Sequence, residues 1–285
     1  MTDIMGSRRQ HLKGMALLGV GFAAAGLGGL SRAMAQDIED ADILQFALNL
    51  EYFETEFYLR AITGKGIEVA DAGDNPGKVT GGRKVPFKTK SIQEFGAEIA
   101  ENELAHVRFY RQALGSAAVA RPTIDLEGGF AAVAKAIKLP DFDPFANERD
   151  FLLAGMLIED AGVTAYAAAI PLLKKKEFVE VAASILAVEA YHMGMARSQL
   201  YQMGGKAQKA ANAISAARDS LDGPDNKDQG ILVDGKANFV PSDANGMAFR
   251  RTPPEILRIV YLTDQDGVDN GGFFPKGLNG KIKST

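Results

Sequence analysis

Two Glu-x-x-His pairs, Glu103/His106 and Glu189/His192, are the residues of this chain best suited to chemistry. Three histidines occur in all, and the third, His11, stands in an N-terminal segment set apart below. Each remaining histidine therefore has a glutamate three residues before it, although the 285 residues hold only sixteen glutamates. On a helix, side chains at i and i+3 leave one face about 5–6 Å apart, so each pair can address one centre. Imidazole together with carboxylate suits iron, manganese or zinc. The chain has no cysteine, which excludes disulfides, zinc-thiolate sites, iron-sulfur clusters and thiol nucleophiles.

Two such pairs on two helices require two further carboxylates from two other helices to complete a dinuclear site. Glu51, in line with Leu44, Leu48 and Tyr58, is the candidate on one, and Glu159, in line with Gly155 and Tyr166, on the other. A carboxylate on a buried face is costly unless it is paired or metal-bound, and that is the physical argument for metal. A weak internal repeat supports the choice. Glu51 is followed by Tyr58, Ala61 and Ile62, and Glu159 by Tyr166, Ala169 and Ile170, at identical offsets, so the two halves should be related by a pseudo-twofold axis. Tyr58 and Tyr166 read either as hydrogen-bonding or radical-relaying neighbours of the ligands or as aromatics packing the core. Glu54, Glu56, Glu98, Glu101 and Asp160 read as solvated, Met193, Met195 and Met203 as core filling, and Lys174–Lys176 as a solvated turn.

The positioning elements follow from apolar spacing. A first helix is expected from Asp37 to about Thr63, stopped by Gly64, with a long loop over 64–90. A second should run from Ser91 to about Leu114, with Ser91 and Glu94 at capping-box spacing and Gly115 after the last periodic residue. Residues 115–147 hold a short amphipathic piece around Phe130–Ile137. A third helix spans about Glu148 to Ile170, a fourth about Lys176 to Met203. A weaker helix follows to about Ser220, and a short one begins at Pro253-Pro254. No strong strand pattern is present. The fold class is all-α: a four-helix bundle whose long link between helices two and three matches a ferritin-like arrangement, with a C-terminal extension.

The first 35 residues read as an export signal. Ser7-Arg8-Arg9-Gln10-His11-Leu12-Lys13 resembles a twin-arginine motif; an apolar stretch from Met15 to Leu30 follows, and Ala33-Met34-Ala35 offers cleavage after Ala35. Five glycines interrupt that stretch, which argues against a stable membrane span. Cleavage would remove Arg8, Arg9, Lys13 and Arg32 against Asp3, leaving 28 basic and 35 acidic residues and a formal charge of −7. Such a chain, with no basic stripe, is a poor nucleic-acid binder. The expected division is 1–35 signal, 36–205 bundle and 206–285 extension packed on the bundle, with a periplasmic or extracellular location.

The segment Asn49-Leu50-Glu51-Tyr52-Phe53-Glu54-Thr55-Glu56-Phe57-Tyr58-Leu59 resembles the first metal-binding helix of ferritin-like proteins, in particular the desiccation-related, ferritin-like-domain family of bacteria and plants. The tail Gly272-Phe273-Phe274-Pro275-Lys276-Gly277-Leu278-Asn279-Gly280 is similar to that family's C-terminal end. The resemblance implies a ferritin-like fold in which Glu103 and Glu189 bridge two metals and Glu51 and Glu159 are terminal ligands. The expected cofactor is two metal ions, iron ahead of manganese, with dioxygen or hydrogen peroxide as partner and room for a homo-oligomer. The site type supports oxidation of Fe(II) or consumption of peroxide in stress protection, in the manner of a ferroxidase, peroxidase or catalase. The competing reading is a non-catalytic desiccation or stress protein whose metal is structural or whose bundle binds a partner.

Overall fold

In the computed structural model, which describes residues 38–285, the apolar periodicity resolves into four long helices. α1 (Asp40–Thr63) opens with a reciprocal capping box between Glu39 and Asp42 and stops at Gly64, whose φ of 83° is left-handed. α2 (Val69–Ala72) is a single turn in the loop that follows. α3 (Lys90–Leu114) carries the first Glu-x-x-His pair. The capping box expected at Ser91 and Glu94 does not form. Glu148, at the start of a later helix, instead accepts from the Lys88 and Thr89 backbone amides and the Thr89 hydroxyl, while Glu94 pairs with Lys90 on the surface at 3.1 Å.

The crossover contains α4 (Leu126–Ala136), capped by Asp125. α5 (Glu148–Ala169) is capped by Asn147 and tightens into a 3₁₀ turn over Ile170–Leu172 at Pro171; α6 (Lys176–Gln202) carries the second pair. α1 lies along α3 and α5 along α6, and the two pairs meet face to face to close the bundle. α5 and α6 are long and apolar enough to cross a membrane by length and composition alone. Each, however, carries a fully buried glutamate near its middle, Glu159 or Glu189. Met193 fills the core as expected, but Met195 on the outward side of α6 and Met203 just past its end are 45% and 37% exposed, because the apolar residues extend beyond the packed face.

Among the described residues, strands are confined to two-residue ladders. β1 (Val79–Thr80) pairs in parallel with β2 (Ile124–Asp125), tying the first loop to the crossover, and β3 (Leu232–Val233) pairs antiparallel with β4 (Lys236–Ala237). Glu56, expected at the surface, is buried in this tie. It accepts from Arg60 at 2.8 Å, Arg121 at 2.5 Å and the Ile67 amide at 3.2 Å, so one carboxylate on α1 gathers both loops.

α7 (Gly205–Asp219), α8 (Pro253–Tyr261) and the tail pack on the bundle. Phe273 and Phe274 wedge against Phe53, with ring centres 4.8 and 5.7 Å away, and burying each ring contributes about 1.5–3 kcal/mol. A Cβ on Gly129 would overlap the Phe273 ring, so only glycine lets α4 close over it. Asn49 on α1 and Asn279 in the tail exchange two hydrogen bonds, at 2.8 and 3.0 Å. Asp160 is likewise expected in solvent and is buried. Its Oδ2 accepts from Arg197 at 2.7 Å and Arg218 at 2.5 Å, in a network that Asp228, Arg251 and Asp222 complete. Glu98 and Glu101 are solvated as expected.

Candidate metal centre

All six residues expected at a metal centre project into the middle of the bundle, one or two from each long helix. Glu51, Glu103, Glu159 and Glu189 are fully buried, and His106 and His192 nearly so. Ligand atoms of Glu51, Glu103, His106 and Glu189 lie within 4.8 Å of one another, and so do those of Glu103, Glu159, Glu189 and His192. Glu103 and Glu189 thus belong to both quartets. Glu103 divides its oxygens: Oε2 is 3.2 Å from His106 Nδ1, and Oε1 is 3.1 Å from His192 Nδ1. The two outer carboxylates stand beside one imidazole each, Glu51 at 3.2 Å from His106 and Glu159 at 3.3 Å from His192. Asn102, one turn before His106, places its side-chain oxygen 3.0 Å from His192 Nε2, which orients the ring so that Nδ1 faces the centre.

The tyrosines of the repeat reach across the pseudo-twofold. Tyr58, seven residues after Glu51, donates to Glu159 at 2.5 Å; Tyr166, seven residues after Glu159, donates to Glu51. Tyr110 extends the second chain, its hydroxyl 2.9 Å from that of Tyr166. Burial and the facing carboxylates raise all three phenols, which keeps them protonated as donors.

The electrostatics are those of a site short of positive charge. Among the described residues no lysine or arginine pairs with Glu51, Glu54, Glu103, Glu159 or Glu189. Burial raises Glu51, offset in part by His106, to about 7, and also raises Glu54 and Glu189 well above the ordinary carboxylate range, with neighbouring carboxylates adding to the effect. Burial works the same way on Glu103, but the two imidazoles outweigh it and hold that carboxyl at about 2. Burial would lower the histidines; the carboxylates instead raise His106 to about 11 and His192 to about 10. Both oxygens of Glu189, Oε1 of Glu103, Oε2 of Glu159 and Nδ1 of His192 are buried without a hydrogen-bond partner. Buried polar atoms are seldom left so, and here they converge. Four carboxylates and two imidazoles, with unpartnered atoms on Glu103, Glu159, Glu189 and His192, fit a pair of divalent cations.

Glu54, expected in solvent, lies at this centre instead. It is only 4% exposed and faces Glu103, Glu51 and Glu159 from the next turn of α1. The signal was present: Glu51 and Glu54 share the i, i+3 spacing that identified the two Glu-x-x-His pairs. Asn102 carried no comparable signal, because its partner lies 90 residues away.

The fold and this centre define a ferritin-like protein, and the chain belongs to the ferritin-like domain family, whose model matches residues 39–202. It is similar to the desiccation-related protein PCC13-62 of Craterostigma plantagineum, 34% identical over 86% of this chain and 84% of that protein. It is also similar to the ferritin-like catalase Nec2 of Nesocodon mauritianus, 29% identical over 86% of this chain and 85% of that protein. No solved structure gives a significant match.

Proposed function

We propose that this chain holds two transition-metal ions between Glu51, Glu103, His106, Glu159, Glu189 and His192 and uses them to consume hydrogen peroxide. The observation that carries this reading is the pair of overlapping quartets sharing Glu103 and Glu189. Ions held by these six residues would supply two-electron redox capacity, enough for one peroxide to be reduced to water while a second is oxidised to dioxygen. The chain's own groups prepare the place. Tyr58 and Tyr166 hold Glu159 and Glu51 in fixed orientations, Asn102 turns His192, and the apolar bundle around them keeps bulk water out. The similarity to a protein named as a catalase favours peroxide over Fe(II) as substrate. Iron and manganese both suit the ligand types, with iron the first expectation.

The test is metal analysis of the purified protein with peroxide consumption followed in parallel. About two ions per chain are expected, with turnover abolished in Glu103→Ala and His192→Ala. Metal without turnover would favour a structural site. A chain free of metal after growth in iron and in manganese overturns both.

The proposal extends to export. Residues 1–35 lie outside the described residues, and the support for a signal is Arg8-Arg9 followed by an apolar stretch and Ala33-Met34-Ala35. Residues 36–205 would then form the bundle and 206–285 the extension. N-terminal sequencing of the mature protein should read from Gln36; a chain retaining Arg8 and Arg9 overturns the signal.

A further inference from the structure

The six candidate ligands obey the pseudo-twofold, and the residue three positions after each outer glutamate breaks it. After Glu51 that residue is Glu54; after Glu159 it is Gly162. The two meet. A Cβ on Gly162 would overlap Glu189 Oε2 and stand 3.3 Å from Glu54 Oε1, so the missing side chain on α5 makes the room into which both carboxylates point. Unpartnered atoms occur across the centre, and Glu189 has the most. Glu103 is flanked by both imidazoles, whereas both oxygens of Glu189 have no partner.

Glu54 likewise lacks a compensating charge. Among the described residues it forms no ion pair, and its electrostatic neighbours are carboxylates: Glu103, Glu51, Glu159 and Glu189. Glu56, two residues on and equally buried, is matched by Arg60 and Arg121. A buried carboxylate without a cation is costly, so its retention calls for a positive charge within reach. Glu54 belongs to neither quartet, but its Oε1 shares the space at Gly162 with Glu189 Oε2, and the side chain has rotamer freedom to turn toward it. It also forms part of the walls of two apolar crevices between α1, α5 and the C-terminal segment, together with Leu50 and Gly162. None of the six candidate ligands lines either crevice, so Glu54 is the one carboxylate of the cluster that borders them.

We propose that Glu54 is a seventh metal ligand, which enters the centre beside Glu189 through the gap left by Gly162. The inference rests on the two-metal reading above, and one experiment separates the two. Full-length protein, Glu54→Gln, Glu54→Asp and the surface control Glu98→Gln are stripped of metal and titrated with Mn(II) and Fe(II) against a competing chelator. Thermal melting is recorded with and without metal. Wild type and Glu98→Gln should take up about two ions per chain. Glu54→Gln should lose about tenfold or more in affinity for one ion while keeping the other, and Glu54→Asp should fall between. Metal-free Glu54→Gln should melt no lower than wild type, since it removes a desolvated carboxylate, while gaining less on metal addition. Affinities for both ions within threefold of wild type overturn the inference and leave the two-metal site standing. A lower melting point for metal-free Glu54→Gln, with undiminished gain from metal, assigns the side chain to packing and also overturns it. Failure of wild type to bind two ions removes the two-metal reading itself.

Discussion

Glu159 and Asp160 are neighbours on α5, both buried, and they face two different polar clusters. On the Asp160 side, three buried arginines from α6, α7 and the segment before α8 meet three aspartates. Arg218 donates to Asp160 at 2.5 Å and to Asp228 at 2.6 and 2.7 Å, and Arg251 to Asp222 at 2.5 Å and Asp228 at 2.8 Å. Three formal positive charges face three negative ones, so the cluster is neutral by itself. On the Glu159 side, five carboxylates and two imidazoles share a space with no arginine or lysine paired to them among the described residues. The arginine cluster completes its electrostatics with the protein's own groups and ties the extension to the bundle. The glutamate cluster is complete only with protons or cations from outside. Burial of charge thus marks function only where the compensating charge is missing.

The largest expected effect breaks the self-sufficient side. Arg218→Met leaves Asp228 and Asp160 short of a cation inside the protein, and should cost about 3–5 kcal/mol in urea unfolding, with metal present or absent. A loss below about 1 kcal/mol would show that the network does not hold the extension, and would undo the contrast.

The next effect separates the clusters by pH. In the metal-free protein Glu51 holds its proton to about 7 against 4.5 for an ordinary side chain, and His106 and His192 hold theirs to about 11 and 10 against 6.5. In each case the folded chain binds the additional proton, so the stabilisation is full at low pH and disappears as pH climbs through the folded value. Glu103 has the opposite sign, but held at about 2 it contributes constantly above pH 4.5. The metal-free melting temperature should therefore fall steadily from pH 5 to pH 11. Metal replaces those protons, so the loaded protein should show a flat or rising profile over the lower part of that range. A metal-free protein indifferent to pH would mean that the centre is not short of positive charge.

The smallest effect tests the crossed tyrosines. Tyr58→Phe removes the donor to Glu159 and should cost about 0.5–1.5 kcal/mol while both metals remain bound. Retained metal with reduced peroxide turnover, measured by mass spectrometry and oxygen evolution, is the expected result. Loss of one metal would instead make the hydrogen bond a condition of the site.

Much of the centre was legible because helices translate spacing into facing. Glu103/His106 and Glu189/His192 needed only the i, i+3 rule, and Glu51 and Glu159 needed the internal repeat in addition. Glu54, Glu56 and Asp160 were misread as solvated for one shared reason. Each is buried by a partner distant in the chain: Glu54 by the facing helix at Gly162, Glu56 by Arg121, Asp160 by Arg197 and Arg218. The capping box at Ser91 failed in the same way, since Glu148, 59 residues from Thr89, supplied the cap.

The amino-acid sequence by itself determined the helices, the long crossover and the six residues that face the bundle axis, because periodicity and short-range spacing are local properties. Only the tertiary structure decided which charges are matched. The tyrosines cross between halves, the arginines of the extension neutralise Asp160 and leave Glu159 alone, and Gly162 opens a space for Glu54 beside Glu189. The physical reason is that the energy of a buried charge depends on what lies within a few ångströms in space. At the bundle centre those neighbours come from four helices spread over some 150 residues of chain.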